Sequence, residues 1–173
     1  MILNRQRDVR VSVRELGEFL SRARRALRLP ADAVTVCLVT NSEIARWNRA
    51  YRGKIGPTDV LSFPVEQMQT RQRNQRRQRN PRARKSGDTS PFGANNTSTS
   101  AISSGSSASY LGDIAIAPVV ARRNARRFER TLSEEMRILI LHGLLHLMGY
   151  DHETDSGQME RRERRLRSAL RMG

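Results

Sequence analysis

The stretch from Thr131 to Gly149, TLSEEMRILILHGLLHLMG, is apolar on nearly every side of the helix it would form, through Met136, Ile138, Leu139, Ile140, Leu141, Leu144, Leu145 and Leu147. A surface helix carries one apolar stripe, whereas a helix that is apolar all round has to be enclosed. Thr131 followed by Glu134 is a capping-box pattern that starts the helix, and Gly149 supplies the stop. The rest of the chain must therefore build layers around this segment. At 173 residues it has the length for one ordinary domain with a core of its own.

The flanking segments read as those layers. Residues 1–11 predict an opening strand, closing on the alternation Val9, Val11, Val13. Ser12 with Glu15 predicts a second capping box and a helix to about Leu29, with Val13, Leu16, Leu20, Ala23 and Leu27 on its inner face and Pro30 at its end. AVTVCLVT is a short β-rich strand, and NSEIARWNRAY a helix begun by Asn41 or Ser42. After the loop RGKIGPT come two more strands, in DVLSFPV and YLGDIAIAP, and an arginine-rich helix from about Val119 to Arg130. A last helix runs from about Asp155 to Met172, with Met159, Leu166 and Leu170 as its inner stripe. About four strands and five helices predict an α/β (α+β) fold, a small mixed four-stranded sheet packed with helices.

One segment does not belong to this pattern. Residues 67–109 are rich in Gln, Arg and Asn and then in Ser, Thr and Gly, too polar to bury enough surface to order themselves. The expectation is a single domain over residues 1–173, interrupted by a disordered basic insertion. The insertion carries eight basic residues and one acid, and so accounts for +7 of the net charge of +15; the remaining +8 belongs to the folding part. Arginine dominates, with Lys54 and Lys85 the only lysines among 32 basic residues. Biased codon usage explains arginine over lysine but not bases over acids. A pI near 11.6 therefore points to a polyanionic partner, nucleic acid first. A single cysteine, Cys37, excludes an intramolecular disulfide and reads as a small buried hydrophobe in a reducing compartment. With no signal-peptide pattern and no span long enough for a bilayer, the expected location is the cytoplasm.

All three histidines fall within HGLLHLMGYDH, residues 142–152. His142 and His146 are four apart on the enclosed helix and share one face, and Gly149 lets the chain turn so that His152 arrives from outside. This H-x-x-x-H-x-x-G-x-x-H spacing is that of the metzincin-like metal helix, and three neutral imidazoles leave a fourth position open, as in catalytic zinc sites. Zinc is the first expectation, ahead of nickel or cobalt. Asp151 is a candidate acceptor for an imidazole N–H, or simply an exposed turn residue. In zinc proteases of this spacing the first histidine is followed by a glutamate that serves as base; here that position is Gly143. Phosphodiester cleavage suits such a site better, since a metal and a cation can carry most of that chemistry.

HGLLHLMGYDH resembles the signature of the YbeY family, metal-dependent bacterial endoribonucleases, and WNRAYRGKIGPTDVLSFPVE (Trp47–Glu66) and LGDIAIA (Leu111–Ala117) agree with it. The resemblance implies an α/β protein with one zinc per chain, held by His142, His146 and His152. It implies a single-strand-specific endoribonuclease of ribosomal RNA processing, 16S rRNA 3′ end maturation and ribosome quality control. Ribosomal RNA and the ribosome or its proteins would be the partners, without membrane association or DNA specificity. It assigns functional importance to His142 and to Arg52, the latter as the phosphate-facing cation; from its setting alone Arg52 is one exposed arginine among many in a Gly-flanked loop. Lys54 is a weaker candidate, and Asp59, Ser62 and Asp113 suit capping or strand-edge hydrogen bonds. Two departures stand out: Ile55 occupies a position where a charge is expected, and the insertion is longer than the family's usual connection. The alternatives are a non-catalytic, zinc-stabilised ribosome assembly factor and a metalloprotease, the latter disfavoured by Gly143 and by the charge.

Overall fold

The computed structural model describes residues 1–65, 110–151 and 155–172. The insertion expected at 67–109, with the disorder assigned to it, lies outside the described residues, and so does His152. In chain order the described elements are β1 (Ile2–Asn4), α1 (Val13–Ala26), β2 (Val34–Leu38), α2 (Asn41–Arg52), β3 (Val60–Pro64), β4 (Gly112–Ile116), α3 (Pro118–Arg127), α4 (Leu132–Leu147) and α5 (Gln158–Ala169). The strands form one mixed sheet in the order β1-β2-β4-β3. β1, β2 and β4 run parallel, and β3 pairs antiparallel with β4. The expected α/β architecture is the one observed.

The sheet separates two apolar layers because successive strand side chains point to opposite faces. Val34, Val36 and Leu38 of β2 and Ile114 and Ile116 of β4 face the main core, where they meet α1, α4 and α5. The other face carries Ala115, Leu61 and the half-buried Cys37 and Phe63 against Ile44 and Trp47 of α2. The enclosed helix is α4: Met136, Ile140, Leu141, Leu144 and Leu145 are all fully buried. Its capping box is complete, with Thr131 accepting from the Glu134 N–H and Glu134 reaching back to the Thr131 N–H. Among the described residues no helix is long and apolar enough to cross a membrane.

Several boundaries differ from the sequence reading, each for a local reason. The opening strand stops at Asn4 because Gln6 folds inward and is buried. Its side chain accepts from the Val9 N–H at 2.9 Å and donates to the Val9 carbonyl at 2.9 Å, closing a loop where a strand would need a neighbour. Val13, expected on the inner face, is 37% exposed as the first residue of α1. Ser12 does accept from the Glu15 N–H, at 3.3 Å. The cap of α2 is Thr40, not Asn41 or Ser42: its backbone is extended and Glu43 completes a capping box with it. α3 begins at Pro118 and ends at Arg127, three residues short of Arg130. α5 is shorter than expected at both ends; at its start the Asp155 carboxylate caps it from outside through the N–H groups of Gln158 and Met159. Cys37 is half-buried, not fully buried, and burial is the main cause of the raised pKa of its thiol.

Candidate metal centre

α4 passes so close to the sheet that a side chain at Gly143 would have to displace its neighbour. A Cβ on Gly143 would lie 2.9 Å from both Cδ1 and Cγ2 of Ile114 and 3.1 Å from its Cγ1. Ser62, the cross-strand partner of Ile114, holds the same point from the neighbouring strand, its hydroxyl donating to the Gly143 carbonyl at 3.4 Å. Glycine after the first histidine is thus a requirement of packing. A glutamate there would have to displace Ile114 from the packed layer over β4, so packing disfavours a protease-type base at this position.

The residues flanking this contact carry the imidazoles. His142 and His146 are half-buried while Leu141, Gly143, Leu144, Leu145 and Leu147 are buried, so the pair marks the strip of α4 that opens towards solvent. Their ring centroids are 4.6 Å apart at an interplanar angle of 78°, and the two Nε2 atoms face each other at 3.1 Å. Two imidazole nitrogens bound to one tetrahedral zinc at the usual Zn–N distance lie about 3.3 Å apart. The observed pair fits that requirement closely.

Behind His142 stands a residue that the sequence reading missed. The Nδ1 of His142 lies 3.3 Å from Oε2 of Glu163 on α5. An ionised carboxylate accepts, so this contact suits the tautomer of His142 that carries its proton on Nδ1 and its lone pair on Nε2, the nitrogen that faces His146. The second oxygen of Glu163 accepts from the Arg167 guanidinium. Burial alone would raise the pKa of Glu163, but the hydrogen bond from His142 and the charge of Arg167 outweigh it and hold the carboxyl below its ordinary value. Glu163 falls on the stripe of Met159, Leu166 and Leu170, four residues after the first and three before the second. A carboxylate set in an apolar stripe is the signal that could have found it.

The other predicted residues occupy varied places. Arg52 is the last residue of α2 and is exposed. Its helix is anchored by edge-to-face contacts of Trp47 and Tyr51 with Phe63, at 5.8 and 5.0 Å between centroids, on the strand whose Ser62 reaches Gly143. Gly53, at φ +67°, then turns the chain, and Lys54 and Ile55 are exposed, Ile55 to 95%. Asp59 takes the bland role expected of it, accepting from the Val60 N–H at 2.8 Å and from Asn124 at 2.9 Å. Asp113 accepts from the Tyr110 hydroxyl, and Met159 is core. Asp151 is half-buried, and its carbonyl accepts from the Asp155 N–H at 2.8 Å.

The model of the family described as Endoribonuclease YbeY matches residues 1–171 of this chain. The chain is 35% identical over 172 residues to an Endoribonuclease YbeY of Koribacter versatilis, covering 99% of this chain and 86% of that one. It is 35% identical over 150 residues to another from Solibacter usitatus, covering 86% and 74%. Among solved structures, the solution structure of a Thermotoga maritima protein is similar with a TM-score of 0.51 and 24% identity, over 98% of this chain and 89% of that one, a likeness of fold.

Proposed function

The chain belongs to the Endoribonuclease YbeY family, and from that premise we propose that it is a zinc-dependent, single-strand-specific endoribonuclease of the cytoplasm that processes ribosomal RNA, with the 3′ end of 16S rRNA as its substrate and the ribosome or its proteins as partners. The observation that carries the metal assignment is the facing pair of Nε2 atoms 3.1 Å apart, with Glu163 behind one of them. His142, His146 and His152 would hold the ion. A bound zinc supplies Lewis-acid polarisation of a phosphoryl oxygen and activation of a water at neutral pH. His142 owes its donor nitrogen to Glu163, which takes the Nδ1 proton in a hydrogen bond. Arg52 presents a planar guanidinium whose paired N–H groups match two phosphate oxygens and stabilise the charge that develops on them. Gly143 leaves no carboxylate at the position after the first histidine, where a zinc protease carries its base, which favours phosphodiester over peptide chemistry.

The test is cleavage of an RNA spanning the 3′ end of precursor 16S rRNA by wild type and His142→Ala, purified identically. Loss of cutting in the variant supports the reading; equal cutting by both, or RNA binding without cutting by either, overturns it in favour of a non-catalytic assembly factor. The ends of the products identify the nucleophile, because a 2′,3′-cyclic phosphate rules out direct attack by water.

A further inference from the structure

α3 differs from every other described helix in carrying no acidic residue. α1, α2, α4 and α5 each place at least one glutamate in the first turn, whereas PVVARRNARR has none. Pro118, Val120, Ala121 and Ala125 are buried, and the outward side presents Arg122, Arg123, Arg126 and Arg127, all exposed. No carboxylate of the described residues forms an ion pair with any of the four. Arg122 with Arg126, and Arg123 with Arg127, are like charges four residues apart, an arrangement that weakens a helix. The helix dipole compensates Arg126 and Arg127 in the last turn, but not Arg122 and Arg123 one turn earlier.

The helix ends on an aromatic ring in the same basic setting. Phe128, the C-cap residue, is 51% exposed, with the guanidiniums of Arg127 and of Arg130, the latter paired with Glu135 at 3.1 Å, at 5.6 and 5.2 Å from its ring centroid. The position is fixed: Asn124 ties the helix to Asp59 at 2.9 Å, and the Phe128 N–H donates to the Asn124 carbonyl at 3.0 Å. A row of arginines without carboxylate partners on an anchored helix, beside an exposed ring, matches what a single strand of RNA offers, phosphates along the row and a base to stack at its end. An acidic polypeptide would satisfy the arginines but has no flat face for the ring.

We propose that the outer face of α3, from Arg122 to Phe128, is a docking strip for single-stranded RNA, on a different helix from the histidine pair. The proposal rests on the endoribonuclease reading for the identity of the ligand, but its test reads binding, not cleavage. Binding of a fluorescently labelled single-stranded RNA is measured over a range of KCl concentrations, with polyglutamate as competitor. The proteins are the full chain, the quadruple variant R122Q/R123Q/R126Q/R127Q, F128A, and a control that removes the same charge from the exposed Arg7, Arg10, Arg162 and Arg165. The strip requires the slope of log affinity against log salt to flatten by about 3 in the quadruple variant, at about 0.7 per phosphate contact for a single strand. F128A should weaken binding about tenfold at every salt concentration while keeping the slope. An equal flattening in the control means diffuse charge and overturns the proposal. So does a quadruple variant that binds like wild type, or polyglutamate that displaces RNA as well as unlabelled RNA does. Wild type that binds RNA through the strip but does not cut it would sink the endoribonuclease reading and leave the strip standing.

Discussion

Gly143→Ala tests the close approach of α4 to the sheet, and its outcome depends on a single neighbour. In the interior of a helix this exchange normally stabilises by about 1 kcal/mol, because alanine loses less backbone freedom. Here the new methyl would meet three atoms of Ile114 at 2.9 to 3.1 Å, and Ile114 is fully buried, so it can give way only by disturbing the core around it. Forcing an extra carbon into a packed core costs about 1–3 kcal/mol, so the balance should be a net loss of about 1 kcal/mol. Removing the neighbour reverses the sign. Ile114→Ala deletes all three contacting atoms and by itself should cost about 2–5 kcal/mol through the cavity it leaves. In that background Gly143→Ala keeps its helix-propensity gain and fills part of the hole, for a net gain of about 1–2 kcal/mol at about 0.8 kcal/mol per buried carbon. The double-mutant cycle should therefore show a favourable coupling of about 2–3 kcal/mol between positions 114 and 143. Urea denaturation followed by far-ultraviolet circular dichroism measures all four proteins. If Gly143→Ala stabilises the parent by the full propensity gain and the coupling is near zero, the glycine is not there to admit the isoleucine, and the steric account of the missing glutamate fails with it.

Two further expectations concern other parts of the molecule. Glu163→Gln should weaken zinc affinity about 10- to 100-fold, the usual effect of losing a carboxylate behind a ligating histidine, and Glu163→Ala at least as much; competition with a chromophoric chelator reads this without recourse to activity, and unchanged affinity in both variants would remove Glu163 from the site. Arg28, just past the C-cap of α1, lies in the left-handed region at φ +58° with its side chain exposed. Left-handed backbone costs a non-glycine residue roughly 1–2 kcal/mol, so Arg28→Gly should raise stability by up to about 1 kcal/mol, and a lower melting temperature would contradict this.

How much of the molecule was legible in the sequence follows from the range of the interaction involved. The boundaries of α4, its cap at Thr131 and the inner stripe of α5 depend on residues three or four positions apart, and all three match the sequence reading. The end of β1 does not, because it depends on a buried Gln6 side chain that offers the Val9 backbone an alternative to strand pairing. Thr40 competes with Asn41 and Ser42 as good capping residues on composition, and only its partnership with Glu43 selects it. The half-burial of Cys37 is likewise a matter of which sheet face received the thinner helical cover.

The site divides along the same line, and the division explains its design. The i, i+4 histidines are a local pattern and could be read directly; Glu163 lies 21 residues from His142 and Ile114 lies on another element, so neither the tautomer of His142 nor the need for Gly143 could be. An apolar helix alone would bury its histidines without partners, at a cost of a few kcal/mol for each unsatisfied polar group. The chain avoids this by letting the strip of His142 and His146 open towards solvent and by bringing α5 across it with a carboxylate that the His142 hydrogen bond and the Arg167 charge hold below its ordinary pKa. On the opposite side Gly143 lets α4 settle on β4, which fixes the height of the imidazoles above the sheet. One helix can thus be both the centre of the core and the platform for the ligands, because the contacts that bury it and the contacts that orient its histidines fall on different sides.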